Sequence, residues 1–132
     1  MAAFAKLFSQ PMADDADWQA TWNPVMQMYF HQWDAATGAD LDARTIYEHR
    51  AWNAAGVLLD RFNTLEKLPA INVPALVMSG RHDPITPPEP GSERIAGLLP
   101  NAELAIFEGS GHYPFIEEQY AFFERLKTWL TR

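Results

Sequence analysis

A chain of 132 residues, 48% hydrophobic and 13% aromatic, is long and apolar enough to bury a core, which excludes a disordered chain. Its formal charge of −7, with no basic run, excludes polybasic anchoring and phosphate-backbone recognition, so neither a membrane nor a nucleic acid is expected as a partner. Cysteine is absent, which removes both a disulfide framework and a thiolate nucleophile.

The opening "MAAFAKLFSQPMADDAD" has one lysine and no sustained apolar stretch, so it does not read as a signal peptide. Runs such as "PALVM" are too short to span a bilayer. The expectation is a soluble, cytoplasmic protein.

Residues 1–66 read as helical and aromatic-rich, without a clear strand. In "WQATWNPVMQMYFHQW", Trp18, Trp22, Met26 and Tyr29 recur at spacings of three and four, as do Met26, Phe30 and Trp33. This is the pattern of a broad apolar helix face, most simply one helix packing on another. Asn23-Pro24 resembles an N-cap followed by an N1 proline, which predicts one helix ending near Trp22 and a second starting there. "ATGAD" at 36–40 reads as a loop. Asp42 then caps a helix carrying Ile46, Arg50, Val57, Leu58 and Phe62.

From residue 67 the pattern changes. "PALVMSG" is a short continuous apolar run bounded by Pro74 and Gly80, as expected of a strand covered on both faces. "PEPGSERIAGLLPN" reads as turns and a helix stopped by Pro100, and Ala102 to Phe107 as a second strand. "FIEEQYAFFERLKTWL" places Ile116, Tyr120, Phe123, Lys127 and Leu130 on one helical stripe. Strand, helix, strand, helix with short connections predicts a parallel β-α-β-α unit over 67–132, and hence an α/β fold. Two parallel strands leave an edge bare on each side, so pairing with another chain is expected, as in a homo-oligomer.

Open parallel sheets bind ligands at the carboxyl ends of their strands. Asp83 in "GRHDPITP" follows the first strand and His112 in "GSGHYPF" follows the second, so both belong to one rim. An imidazole that collects a proton needs a carboxylate on its Nδ1 side to set the tautomer. Gly109 and Gly111 let the second loop turn inward, while Pro84 and Pro87 stiffen the first. Asp83 and His112 are therefore the candidate catalytic residues. The serines are Ser9, Ser79, Ser92 and Ser110, and none lies in a G-x-S-x-G elbow. His82 reads as an ordinary loop histidine and Arg81 as a structural ion-pair partner. His31 and His49 have no partners at metal spacing, so no metal and no cofactor is expected.

"VPALVMSGRHDPITPPE" followed by "PNAELAIFEGSGHYPFIEEQYAFFERLKTWL" closely resembles the C-terminal part of α/β-hydrolases, in particular the prolyl iminopeptidase-like branch. The resemblance implies that Asp83 and His112 are the acid and histidine of a Ser-His-Asp triad. It implies that residues 1–66 correspond to the helical cap of such enzymes and 67–132 to the last β-α-β-α part of their core. The family's first strands, oxyanion loop and elbow serine have no counterpart here. The chain is then expected to be a truncated reading frame, one chain of a split enzyme, or a domain kept for assembly. Completed by an N-terminal half, it would act on a small-molecule or peptide substrate, hydrolysing an ester, amide or N-terminal peptide bond. In that setting Glu48 and the Asp14, Asp15, Asp17 cluster could meet a substrate amine, although a solvated acidic face accounts for them as well. The alternative is a non-catalytic module that dimerises through its strand edges.

Overall fold

The computed structural model describes residues 2–59 and 61–132. Two compact units divide the chain: residues 1–28 with 33–62, and residues 29–32 with 63–132.

The first unit is helical. Its helices are α1 (Ala2–Ser9), α2 (Asp15–Met26), α3 (Ala35–Arg44) and α4 (His49–Leu59). Asp14 caps α2 by accepting from the Asp17 amide at 2.8 Å. Only the first part of the apolar stripe packs helix on helix, with Trp18 of α2 stacked on Trp52 of α4 at a ring-centroid distance of 4.4 Å; Tyr29 lies in a 3-10 turn, and Phe30 and Trp33 lie beyond it, outside any helix. Asn53 makes a reciprocal pair with the Met12 backbone, donating to its carbonyl at 2.9 Å and accepting from its amide at 2.8 Å. Leu7, Met12, Val25 and Met26 are buried in this unit.

Four sequence expectations fail in this unit. Pro24 lies inside α2 rather than opening a new helix. It falls in the last turn, where its missing N–H forfeits one bond, and beyond Met26 the chain tightens into the 3-10 turn Gln27–Tyr29. "ATGAD" is helical, because Asp34 caps α3 through the Thr37 amide at 2.8 Å. Asp42 caps nothing; it sits within α3 and accepts from the Tyr47 hydroxyl at 2.6 Å and from Gln19 at 3.0 Å. Ile46 precedes α4 and is exposed, as are Val57, Leu58 and Phe62, so the stripe assigned to that helix does not face this unit's core.

The second unit holds a two-stranded parallel sheet, β1 (Ala75–Gly80) and β2 (Ala102–Phe107), in register from Ala75 opposite Ala102 to Gly80 opposite Phe107. The connection carries α5 (Ser92–Leu98), and β2 is followed by α6 (Pro114–Glu117) and α7 (Gln119–Leu130). The α/β reading and both strands are as expected. The stripe on α7 is not. Tyr120, Phe123 and Leu130 are exposed, and the half-buried face carries Phe122, Arg125, Leu126 and Trp129. Both stripes have helical spacing and apolar members, so periodicity alone does not choose between them; the Phe122 ring against Phe107 of β2, 5.5 Å away, marks the inward one. Among the described residues no helix is long and apolar enough to cross a membrane.

Replacing Asn53 with Ala leaves the buried Met12 amide and carbonyl without their partner. The expected cost is about 1–3 kcal/mol, read as a lower urea midpoint for the first unit.

Candidate active site

Gly80 and Phe107 are register partners at the ends of two parallel strands, so the loops that follow them leave the sheet at one rim. The structure brings Asp83 and His112 together there: His112 Nδ1–H donates to Asp83 Oδ2 at 2.7 Å. An ionised carboxylate only accepts, which puts the proton on Nδ1 and leaves Nε2 as the basic nitrogen.

Asp83 is 5% exposed, and a buried carboxylate must be fully paired. Its own turn supplies most of the donors. Oδ1 accepts from the Ile85 amide at 2.8 Å and the Thr86 amide at 3.1 Å; Oδ2 accepts from the Thr86 hydroxyl at 2.7 Å as well as from His112. Burial pushes the Asp83 carboxyl up. The hydrogen bonds from Thr86, His112 and Ile85 outweigh burial, so it is held below its ordinary value. The aspartate is therefore a fixed anion against the imidazole.

The histidine loop is clamped from several sides. The His112 amide donates to the Tyr29 carbonyl at 2.6 Å, and the Tyr29 ring meets the imidazole edge-on at 4.9 Å. Burial, reinforced by the Asp83 charge, raises the Tyr29 phenol; burial with the charges of Tyr29 and Asp83 pushes Tyr113 up to about 12. Both phenols stay neutral beside the pair. Glu117 accepts from the Gly111 amide at 2.7 Å and the Gln32 amide at 2.9 Å, and Glu118 from the Gly109 amide at 2.9 Å and the Ser110 hydroxyl at 2.6 Å. The sequence predicts that Gly109 and Gly111 let the loop turn sharply through glycine's backbone freedom. Neither has a positive φ. Gly111 is needed for close approach: a Cβ there would lie 2.6 Å from the Tyr29 carbonyl oxygen, and one on Gly80 would lie 1.9 Å from that of Gly111.

Arg81 pairs with both oxygens of Glu108, at 2.9 and 2.8 Å. The His82 ring stacks on His31 at 3.7 Å, outside the Asp83–His112 pair. Ser110 is fully buried on Glu118, whereas Ser79 and Ser92 line the cavity beside the pair. In the first unit His49 does have a partner, Asp15, at 2.6 Å; with Glu48 these place ligand atoms within 4.8 Å of one another. Thirty-four residues separate Asp15 from His49, so local spacing could not reveal the contact. Both acids are otherwise engaged, Glu48 with Arg50 at 2.8 Å and Asp15 with the His49 amide at 2.9 Å.

The sequence marks Tyr29 only as part of an apolar stripe and Gly80 only as a strand boundary, and Thr86, Glu117 and Glu118 not at all as site residues. Thr86 was findable, since an Asp three residues before Thr is a local hydrogen-bonding pattern. Tyr29 lies 83 positions from His112 and gave no such signal.

A family model described as the alpha/beta hydrolase fold matches residues 4–119. The chain belongs to this family. The α/β hydrolase relatives include the AB hydrolase superfamily protein YclE of Bacillus subtilis, 34% identical over 70 residues, which are 53% of this chain and 25% of that protein. The proline iminopeptidase of Lactobacillus delbrueckii subsp. lactis is 36% identical over 72 residues, 54% of this chain and 24% of that protein. Among solved structures, an esterase from Exiguobacterium antarcticum superposes with a TM-score of 0.79 at 20% identity, covering 99% of this chain and 47% of its own. The enol-lactonase from Burkholderia xenovorans LB400 gives 0.76 at 21% identity, with 99% and 49% coverage. The chain thus spans about a quarter of the curated relatives and about half of these two solved structures.

Asp83 contributes stability fully above 3.8, the ordinary value from which its carboxyl is lowered, and that contribution is lost as pH falls through the lower folded value. The urea midpoint of the second unit is expected to fall as pH drops below 3.8, and to fall less in Asp83→Asn. Gly80→Ala drives a methyl group into the Gly111 carbonyl and is expected to cost about 1–3 kcal/mol and to disturb the Asp83–His112 bond, seen as loss of the low-field Nδ1 proton resonance.

Proposed function

We propose that this chain carries the acid and base of a serine hydrolase of the prolyl iminopeptidase-like type, acting on an ester, amide or N-terminal peptide bond. The observation that carries the reading is the buried, ionised Asp83 bonded at 2.7 Å to Nδ1 of a histidine on the same rim of a parallel sheet. The proline iminopeptidase match extends the reading toward peptides with a free N-terminus.

In this reading His112 Nε2 takes the proton of a serine hydroxyl as it attacks the carbonyl carbon, then delivers it to the leaving amine or alkoxide. Asp83 stays ionised, holds the tautomer and stabilises the imidazolium. A water molecule is activated by the same nitrogen in the second half-reaction. These 132 residues contain no G-x-S-x-G, so the nucleophile and the oxyanion donors belong to other polypeptide. Residues 1–66 act as the cap-like segment and 67–132 as the last part of the core.

The test is complementation. The chain is co-expressed with the part of the Lactobacillus delbrueckii proline iminopeptidase that it does not match, and hydrolysis of proline p-nitroanilide and p-nitrophenyl acetate is followed. Complementation should give activity that Asp83→Ala and His112→Ala each reduce about 10³-fold or more. Equal rates with and without either side chain overturn the assignment. Alone, the chain is expected to resist labelling by a serine-directed fluorophosphonate.

A second reading, a non-catalytic module that self-associates, draws on one observation: among the described residues each strand has a single neighbour. Light scattering separates the two, since a clean monomer at micromolar concentration counts against self-association.

A further inference from the structure

Thr86 bonds both oxygens of the Asp83 carboxylate, its amide donating to Oδ1 at 3.1 Å and its hydroxyl to Oδ2 at 2.7 Å. The Ile85 amide shares Oδ1 at 2.8 Å, and His112 Nδ1–H shares Oδ2 at 2.7 Å. Each oxygen therefore accepts two bonds, which fills its lone pairs. The two amides converge on Oδ1 alone. The last torsion of an aspartate is broad, so anchoring one oxygen leaves the other able to swing. Within the turn it is the Thr86 hydroxyl that anchors Oδ2, without help from the histidine.

The same hydroxyl stands beside the base. A carboxylate only accepts, so the Thr86 proton points at Oδ2. The Thr86 oxygen lies 3.4 Å from His112 Nδ1, next to the 2.7 Å bond that Nδ1–H makes to Oδ2. Thr86 Oγ, Asp83 Oδ2 and His112 Nδ1 form a triangle in which Oδ2 receives both protons.

The surroundings give the hydroxyl weight. Among the described residues, the titratable groups facing Asp83 are His112 and the neutral phenols of Tyr29 and Tyr113. Arg81, two residues earlier, pairs with Glu108 and Glu93 instead. Hydrogen bonds thus balance the buried charge. Burial is the largest influence on the Asp83 carboxyl and pushes it up; the Thr86 hydroxyl is the largest that pulls it down.

We propose that Thr86 is a positioning residue acting through Asp83: its hydroxyl fixes Oδ2 on His112 Nδ1 and keeps the carboxylate ionised. This rests on the reading of Asp83 and His112 as the acid and base of a hydrolase. When Nε2 takes the proton of the attacking hydroxyl, the imidazolium leans on Oδ2. A carboxylate already holding the Thr86 proton is less basic, so the histidine's own proton stays on Nδ1 and the acid remains an anion throughout.

The test compares Thr86→Val, which removes the hydroxyl at nearly the same shape, with Thr86→Ser, which keeps it. Two NMR readouts are taken on the isotopically labelled 132-residue chain by itself. The low-field Nδ1 proton of His112 is expected in the native chain and in Thr86→Ser, and in Thr86→Val to disappear or to exchange with water about tenfold faster or more. The Asp83 carboxyl carbon is expected to titrate at higher pH in Thr86→Val, with Thr86→Ser restoring the native midpoint. Native behaviour of Thr86→Val in both readouts means that water serves Oδ2 equally well and overturns the proposal. So does loss of the Nδ1 proton in Thr86→Ser, which makes the methyl group the cause and decides the matter even where Thr86→Val fails to fold. A lower melting temperature with an unmoved Asp83 titration is the mark of a merely structural role and overturns it too. Neither readout needs turnover, so a failed complementation refutes the hydrolase reading and leaves this result standing on its own.

Discussion

A carboxylate sealed from water tolerates no unfilled lone pair, and the site in this chain is arranged around that constraint. Asp83 meets it with donors of two kinds. Three come from its own turn, the amides of Ile85 and Thr86 and the Thr86 hydroxyl, so the anion is held before any distant residue contributes. The fourth is His112, which thereby acquires a fixed tautomer and orientation. The pair is electrostatically asymmetric: Asp83 is buried and its carboxyl is held below the ordinary value, whereas His112 is partly open to solvent. That is the asymmetry a proton-collecting imidazole needs.

The histidine side of the pair depends on close backbone approach. Gly80, Gly111 and the 29–31 segment are stacked so tightly that a single methyl group on either glycine meets a backbone atom. Glu117 and Glu118 then hold amides of the same loop, and Glu117 also holds Gln32, so residues 29–32 and the histidine loop share one carboxylate. The helix start at Pro114 thus does more than follow the loop; its first-turn acid pins it. Neutral Tyr29 and Tyr113 enclose the imidazole without competing for its proton.

Membership of the α/β hydrolase family accounts for the parallel strands and the shared rim. The sheet itself has only two strands among the described residues, and they are not equivalent. β2 carries Glu103, which pairs with Arg125 of α7 and with Arg132, while β1 has no charged residue and borders an apolar-walled slot that Asp83 and His112 also line. Asp83 and His112 border the slot because they follow the ends of two parallel neighbours, β1 and β2.

Sequence alone determined the elements whose cause is local. Apolar runs bounded by Pro74 and Gly80, and from Ala102 to Phe107, are strands because nothing in them favours another period. Their order along the chain puts Asp83 and His112 after successive strands, and the parallel pairing makes that one rim. Where two local signals compete, tertiary contacts decided. Asn23-Pro24 looks like a helix start, yet α2 runs through it because the Asp14 cap and the Trp18 stack on Trp52 set an earlier beginning. Asp34, not Asp42, caps α3, since only Asp34 has the extended backbone a cap requires. The C-terminal helix offers two apolar stripes, and only the Phe107–Phe122 contact says which is inside. Tyr29, Glu117 and Gly80 became visible only in three dimensions, because each makes a contact with a backbone atom on at least one side, and backbone atoms carry no signature in the letters of a sequence.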